Sequence, residues 1–527
     1  MRTRGTPALS SASTLVTALA LCLAIPLSCS RTPDQVQLIH VNSLRGQVQA
    51  VETADRMRGG FSLLSGAIKD REAAAGRTPS YTIAVYNAFH GSPESYFTRG
   101  QAVIDLMNAT GFSALVVGPR EYYFGQDVLK HLAAQARFPF IAANIVQADG
   151  THPSYLSPFF YDPKTHFGLI GLAPQSIFSQ NLAKDVEGLV LLDEVDATRA
   201  AVAQLRKLGA RLIGLCAGGI TWGGASDTPD SRMAEALLAI EGIDQYWFGS
   251  VSPDLPDGMH LIERNGKNKI LTVQSGARHT NGFQLAVTMV SSNPEASSYQ
   301  DLVVDSENIT PDPALVDTLY SIINATGDVM NRRVATAANS LELAFEAECS
   351  MGNLLCDILK NHSGADLFVL NSGKIRSALN TGVITRKHIY DTLPFGGNIV
   401  TTWLTGKQIL ALLERSCSFV GNPKAGRGFL QVSGISFGWN PAAPAFQRVA
   451  RGTVQINNMP LDLDRSYLVG TEAYIFGGGD GYQEFKADDI EMEEWFDESI
   501  LQIFENALAK QSIIDARVEG RIQTLDR

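Results

Sequence analysis

A chain of 527 residues, 45% hydrophobic and 18% charged, is too long for one ordinary core and too apolar for a disordered polymer, so two or three folded domains are expected. Its formal net charge of −11, with no run of Lys and Arg long enough to follow a phosphate backbone, argues against DNA or RNA as a partner.

The N-terminus carries Arg2 and Arg4 and then an uncharged, apolar-rich stretch from Leu15 to Leu27. That pattern predicts a secretory signal over residues 1–28, too short for a stable membrane anchor. Ile25-Pro26-Leu27-Ser28-Cys29 resembles the lipobox of bacterial lipoproteins, although Pro26 stands where Leu is preferred. Two readings stay open: lipidation of Cys29 and tethering to a membrane, or plain cleavage that leaves Cys22 and Cys29 without a role. Either implies export, to the periplasm or cell envelope. Beyond this segment only Cys216, Cys349, Cys356 and Cys417 remain, and Cys349 and Cys356 are about 10 Å apart along a helix, too far for a disulfide.

From residue 35 to 300, short apolar runs such as QVQLIHV, YTIAVYN, ALVVG, HFGLIGL and RLIGLCAG alternate with helix-like stretches, which predicts a layered α/β or α+β domain. Residues 311–334 open with Pro311-Asp312-Pro313 and align Leu315, Leu319, Ile322 and Ile323 on one stripe, a linking helix. A second α/β unit is expected over 335–527. Met351, Leu354, Leu355, Ile358 and Leu359 form one helix face, Leu367 to Leu370 a buried strand, and Ile409, Leu410 and Leu413 another helix face. The run from Gly477 to Gly481 is a loop, because so many glycines make regular structure entropically costly.

Five motifs of this second unit stand in a fixed order: ECSMGNLL (348–355), NSGKIR (371–376), LPFGG (393–397), FLQVSG (429–434) and GGGDGY (477–482). Together they resemble the substrate-binding domain of the 5′-nucleotidase family. The resemblance implies a four-layer, calcineurin-like metallophosphoesterase domain before the linking helix and a 5′-nucleotidase C-terminal domain after it. It implies a nucleoside or nucleotide as ligand, contacted by Asn371 and Arg376, with its base between the rings of Phe429 and Tyr474 and its ribose hydroxyls on Asp480. The residues read alone agree in part: Asn371 closes a buried strand, where layered α/β folds bind ligands, and Arg376 offers a fork of donors suited to oxyanions. Taken singly, Arg376 is also a plain surface charge, Phe429 and Tyr474 core rings, and Asp480 a turn residue. Two departures bear on the pocket. Lys374 replaces a family glycine, and Phe345-Glu346-Ala347 stands where the family carries phosphate-binding arginines, which points to nucleosides over highly charged nucleotides.

The first unit resembles the metallophosphoesterase frame without its ligands. In LIHVNSLRG (38–46), Ser43 falls at a metal-binding Asp and Arg45 at a His; in YNAFHGSPES, Asn87 falls at the bridging Asp. In VVGPREYYFG, Pro119 falls at the Asn ligand, Arg120 at the catalytic His and Tyr123 at the Asp that orients it. Ala217, Ser250 and Ser252 stand at further His positions. Two-metal hydrolysis needs carboxylate and imidazole donors around cations about 3.5–4 Å apart, and guanidinium groups repel such cations. The expectation is therefore no metal cofactor and no catalytic residue, with Arg45 and Arg120 open to an anion. His40, His90 and Glu121 lie close by but do not rebuild a cage. Three functions follow as alternatives: a catalytically impaired nucleoside- or nucleotide-binding protein, a metal-dependent phosphoesterase with atypical ligands, or a surface scaffold.

Overall fold

The computed structural model describes residues 34–53, 55–181, 183–218, 229–248, 258–264, 267–273, 282–422, 427–487 and 490–525. The signal segment, Cys29, Ser250 and Ser252 lie outside them.

Two six-stranded sheets build the N-terminal half. One has the order Ser298–Val303, Gln284–Ser291, Gln35–Asn42, Ser80–Val85, Ala114–Val116, Phe140–Ile141. Its four strands from Gln35–Asn42 to Phe140–Ile141 are parallel, with Gln37 beside Ser80 and Ile83 beside Ala114, and Gln284–Ser291 joins them antiparallel. Seven of the eight residues of Gln35–Asn42 are buried, as expected of a strand covered on both faces. The other sheet runs Gly258–Arg264, Lys267–Val273, Gln245–Phe248, Leu212–Ala217, Phe167–Gly171, Phe159–Asp162.

Apolar residues of both sheets interleave between them, among them Val36, Leu38, Ile83 and Val116 from one and Leu169, Leu212 and Trp247 from the other. The outer face of the first sheet is covered by helices Phe61–Ala75, Gln101–Thr110 and Gln126–Gln135. Glu194–Leu208 and Pro229–Leu238 cover the second through Ala197, Ala201, Leu205, Ala234 and Leu237. Helix on sheet on sheet on helix gives four layers, and the apolar alternation of the sequence supplies each interface.

Helix Val316–Met330 follows, with Asp312 capping the turn before it through Ala314 N–H. Leu315 and Ile322 insert into the core of the first sheet, so this helix is packed on the N-terminal half.

The C-terminal half centres on a mixed sheet ordered Leu430–Ser433, Leu367–Asn371, Ser466–Glu472, Asn398–Thr405, Met492–Ser499. Helices Ser350–Ser363 and Ile500–Gln511 cover one face. Gly406–Ser418, capped by Thr405 in a reciprocal box with Gln408, covers the other. Cys216, Cys349, Cys356 and Cys417 are all free and buried. No helix among the described residues is long and apolar enough to cross a membrane.

The halves meet through aromatic rings. Tyr96 and Phe97, from the short helix Pro93–Phe97, pack against the C-terminal core. Tyr96 lies 5.0 Å from Tyr390 between ring centroids, and the guanidinium of Arg386 sits 4.8 Å above Phe97. Gly396, in the left-handed region at φ +61°, brings its backbone against the Tyr123 ring so closely that an added Cβ would overlap the phenol oxygen.

Candidate functional site

A cavity of about 1250 Å³ opens between the halves. Its C-terminal wall is assembled from three separate motifs. Strand Leu367–Asn371 ends at Asn371, whose side-chain amide donates to Asp480 Oδ2 at 2.7 Å. Tyr474, just after strand Ser466–Glu472, donates its hydroxyl to Asp480 Oδ1 at 2.9 Å and accepts from Asp480 N–H at 3.1 Å. Asp480 holds a left-handed backbone at φ +51°, which a short acidic residue tolerates. Gly479 beside it lies against Tyr474, where any Cβ would come within 2.5 Å of the ring. The Gly-rich loop thus folds back over the tyrosine and fixes both groups.

Arg376 lines the same wall, stacked on Phe395 at 4.7 Å. Burial, and after it the charge of Arg427, lowers its pKa, while Asp480 acts in the opposite direction. Arg427 lies 4.0 Å from the Phe345 ring centroid and also lines the cavity, so a guanidinium occupies the neighbourhood in which the motif pattern suggested that arginines were missing.

Phe429 requires a correction. Its ring is 1% exposed, packed in the core beneath the sheet and 6.3 Å from Trp439, and it lines no part of the cavity. A ring buried in that core has no face left for a base. The rings available are Tyr474, 53% exposed, and Phe395, 39% exposed. Phe395 belongs to LPFGG, and the signal for it was legible: an aromatic between Pro394 and two glycines of positive φ sits on a loop, not in a strand. Asn371, Arg376, Tyr474 and Asp480 all line the cavity with it.

Lys374 is buried and ion-paired with Glu472, and it also donates to the Gly396 carbonyl. The charge added by this departure from the family pattern is therefore neutralised inside the C-terminal half.

The N-terminal wall is built from loops after two neighbouring strands. Arg45 N–H donates to Asn87 O and Gly46 N–H to Ala88 O, both at 2.7 Å, which zips the loops together. Ser43, Arg45, Tyr86 and Asn87 all adopt positive φ, between 49° and 53°. Such conformations cost about 1 kcal/mol or more for residues other than Gly, Asn and Asp, and they concentrate at sites. Glu121 is fully committed to this frame: its carboxylate accepts from the backbone N–H groups of Asn87, Ala88 and Gly118. Burial raises its pKa to about 7.

Arg120 donates to His90 Nδ1 at 2.7 Å, and the His90 ring stacks on Tyr123 with centroids 3.6 Å apart. Burial, then the charges of Arg120 and Lys374, hold the His90 pKa well below its ordinary value. With a guanidinium donating to Nδ1, the neutral ring carries its proton on Nε2. His40 lies between the two sheets with its ring 4.7 Å from Trp247. Ala217 ends its strand buried and offers no donor.

These groups do not fit a pair of divalent cations. Among the described residues no three His, Cys, Asp or Glu side chains converge as a ligand set would. Glu121 is spent on backbone amides, and two guanidiniums face the cavity instead.

Residues 328–487 match the family model described as 5′-nucleotidase, C-terminal domain. A 5′-nucleotidase of Bos taurus is 23% identical over an alignment covering 95% of this chain and 93% of its own. The chain is thus similar to 5′-nucleotidases along nearly its whole length and carries their C-terminal domain over residues 328–487. Among solved structures, a 5′-nucleotidase precursor from Thermus thermophilus superimposes with a TM-score of 0.61 at 23% identity, covering 94% of this chain and 100% of the other. A putative 5′-nucleotidase from Staphylococcus aureus gives 0.70 at 18% identity, covering 93% and 99%. The family fold, a calcineurin-like half followed by the C-terminal half, thus extends over nearly the whole chain.

Proposed function

We propose that this protein binds a nucleoside or nucleotide in the cavity between its halves and does not hydrolyse it by the two-metal route. The observation that carries the reading is the network in which Asn371 and Tyr474 hold the Asp480 carboxylate at the cavity wall, beside Arg376 and the partly exposed rings of Phe395 and Tyr474. A carboxylate accepts two hydroxyl hydrogen bonds from a ribose, and an aromatic ring stacks on any base. The 5′-nucleotidases similar in sequence lend support, since their name specifies a nucleotide substrate. Support for the second half of the reading comes from the donor set of the opposite wall: arginines and backbone-bound Glu121 do not generate a metal-bound hydroxide.

Two measurements on the purified full-length protein test this. Calorimetry should detect adenosine or AMP at micromolar to millimolar affinity, and no heat at millimolar ligand would remove the binding reading. Phosphate release from AMP with added Mn²⁺, Zn²⁺, Co²⁺ or Mg²⁺ should equal that of a protein-free control. Turnover abolished by a chelator would instead establish a phosphoesterase with atypical ligands.

The reading includes export through residues 1–28, with Cys29 as the lipid-bearing residue. Cell fractionation then recovers the wild type with membranes and Cys29→Ala in the soluble envelope fraction; identical partitioning would leave simple cleavage.

A further inference from the structure

Two of the positive charges on the N-terminal wall, Arg45 and Arg120, make no ion pair with any described residue. Both line the cavity, and both are partly buried. Burial, and after it the charge of Arg120, lowers the Arg45 pKa, so the two guanidiniums act on each other as like charges. The acids that line the cavity are Asp185, Glu472 and Asp480. Glu472 is ion-paired with Lys374, and Asp480 is held by Asn371 and Tyr474. Glu121 acts on Arg120 only as a weak charge, with its oxygens occupied by three backbone amides. The Nε of Arg45 is buried without a hydrogen-bond partner.

Two like charges brought together out of water are costly unless an anion joins them. The loops nevertheless hold them there. Arg45 stands on a strained positive-φ backbone zipped to Asn87, and the Arg120 guanidinium is fixed by neutral His90, a partner that leaves its charge uncompensated. A planar fork of donors suits the oxygens of a phosphoryl group, and two forks suit one that carries two charges.

We propose that Arg45 and Arg120 form a metal-independent anion site that takes the phosphate of a nucleoside 5′-phosphate whose sugar and base lie on the C-terminal wall. The proposal rests on the nucleotide-binding reading above and extends it by choosing the charged ligand over the nucleoside. Arg376 and Arg427 on the facing wall add to the same positive field. His90 is a positioning residue that aims Arg120 and does not itself line the cavity.

The test is calorimetry on the full-length protein in EDTA, with adenosine, AMP and inorganic pyrophosphate as separate titrants. In the wild type AMP should bind at least about tenfold more tightly than adenosine, and Arg45→Gln should bring that ratio close to one while leaving adenosine affinity unchanged. Equal affinity for AMP and adenosine in the wild type, a ratio that Arg45→Gln does not alter, or an AMP preference that appears only with added divalent metal would each overturn the site. Pyrophosphate separates this proposal from the one beneath it. If neither adenosine nor AMP binds, pyrophosphate binding that Arg45→Gln weakens at least about tenfold supports the anion site while the nucleotide reading falls. Absence of pyrophosphate binding in that case removes both.

Discussion

The two walls of the cavity solve the problem of charge near a buried site in opposite ways. On the C-terminal wall both acids have partners within the same half: Glu472 has Lys374, and Asp480 has Asn371 and Tyr474. On the N-terminal wall the buried carboxylate of Glu121 is absorbed by backbone amides, and Arg45 and Arg120 face the cavity beside each other. The acids of the first wall are satisfied without a ligand, although Arg376 and Arg427 also lie there as like charges, whereas the second wall is completed by an anion. Fold alone does not distinguish them, because both walls keep the fold of the similar 5′-nucleotidase structures; the difference lies in a handful of side chains.

The largest effects that sharpen this contrast are on stability, in the first wall. Lys374→Met leaves Glu472 as a buried charge without its partner, which costs about 3–5 kcal/mol. Urea unfolding would register it as a lower midpoint, and the double substitution Lys374→Met with Glu472→Leu should recover most of the loss. A Lys374→Met protein as stable as the wild type would mean that Lys374 and Glu472 are not a mutually dependent pair, and the comparison of the walls would lose its basis. Phe429→Ala, by opening a void in the core of the same half, falls in a similar range of about 3–5 kcal/mol.

The second effect is on affinity. Tyr474→Ala and Phe395→Ala should each weaken adenosine binding by about 1–3 kcal/mol, the value of one stacked base, with little change in the unfolding midpoint for a ring so exposed. Calorimetry and denaturation on the same preparations give the two readouts. If Phe395→Ala binds adenosine as the wild type does while Tyr474→Ala does not, the pocket uses one ring, and the assignment of Phe395 is wrong.

Much of this was readable from residue order. Strand Leu367–Asn371 showed as a short apolar run whose end carries Asn371 to the cavity, and the glycines around Asp480 announced a loop. The distinction between Phe429 and Phe395 was not readable from motif membership, since both belong to motifs of one family. Phe429 leads into an edge strand whose four residues are all buried, so alternation gave no sign of which side its ring takes. Nor was the bond from Asn371 to Asp480 legible, because it spans 109 residues and depends on how two strands are ordered in a sheet. Lys374 looked like a charge added to the pocket, and only its tertiary partner, Glu472, shows that the charge is cancelled. In the N-terminal half the identities of Arg45 and Arg120 were plain, but their shared burial, and the neutral histidine behind one of them, required the packing of loops.

The smallest expected effect is the most discriminating, because it sets one cavity cation against another. Arg45 has no acid to strand, so Arg45→Gln removes like-charge repulsion with Arg120 at the cost of some side-chain packing. The net change in unfolding free energy should lie within about 0.5 kcal/mol of zero, against the several kcal/mol expected at Lys374. Glutamine keeps the length and polarity of most of the side chain, and the positive φ at this position is no harder for it than for arginine. Denaturation in low-phosphate buffer makes the measurement clean, since a bound anion would stabilise the wild type by mass action and enlarge the apparent cost. Repeating it with added phosphate should then open a gap between wild type and Arg45→Gln that was absent before. A loss of several kcal/mol in the phosphate-free buffer would mean that Arg45 is tied into the fold as Lys374 is, and the two walls would no longer differ in kind.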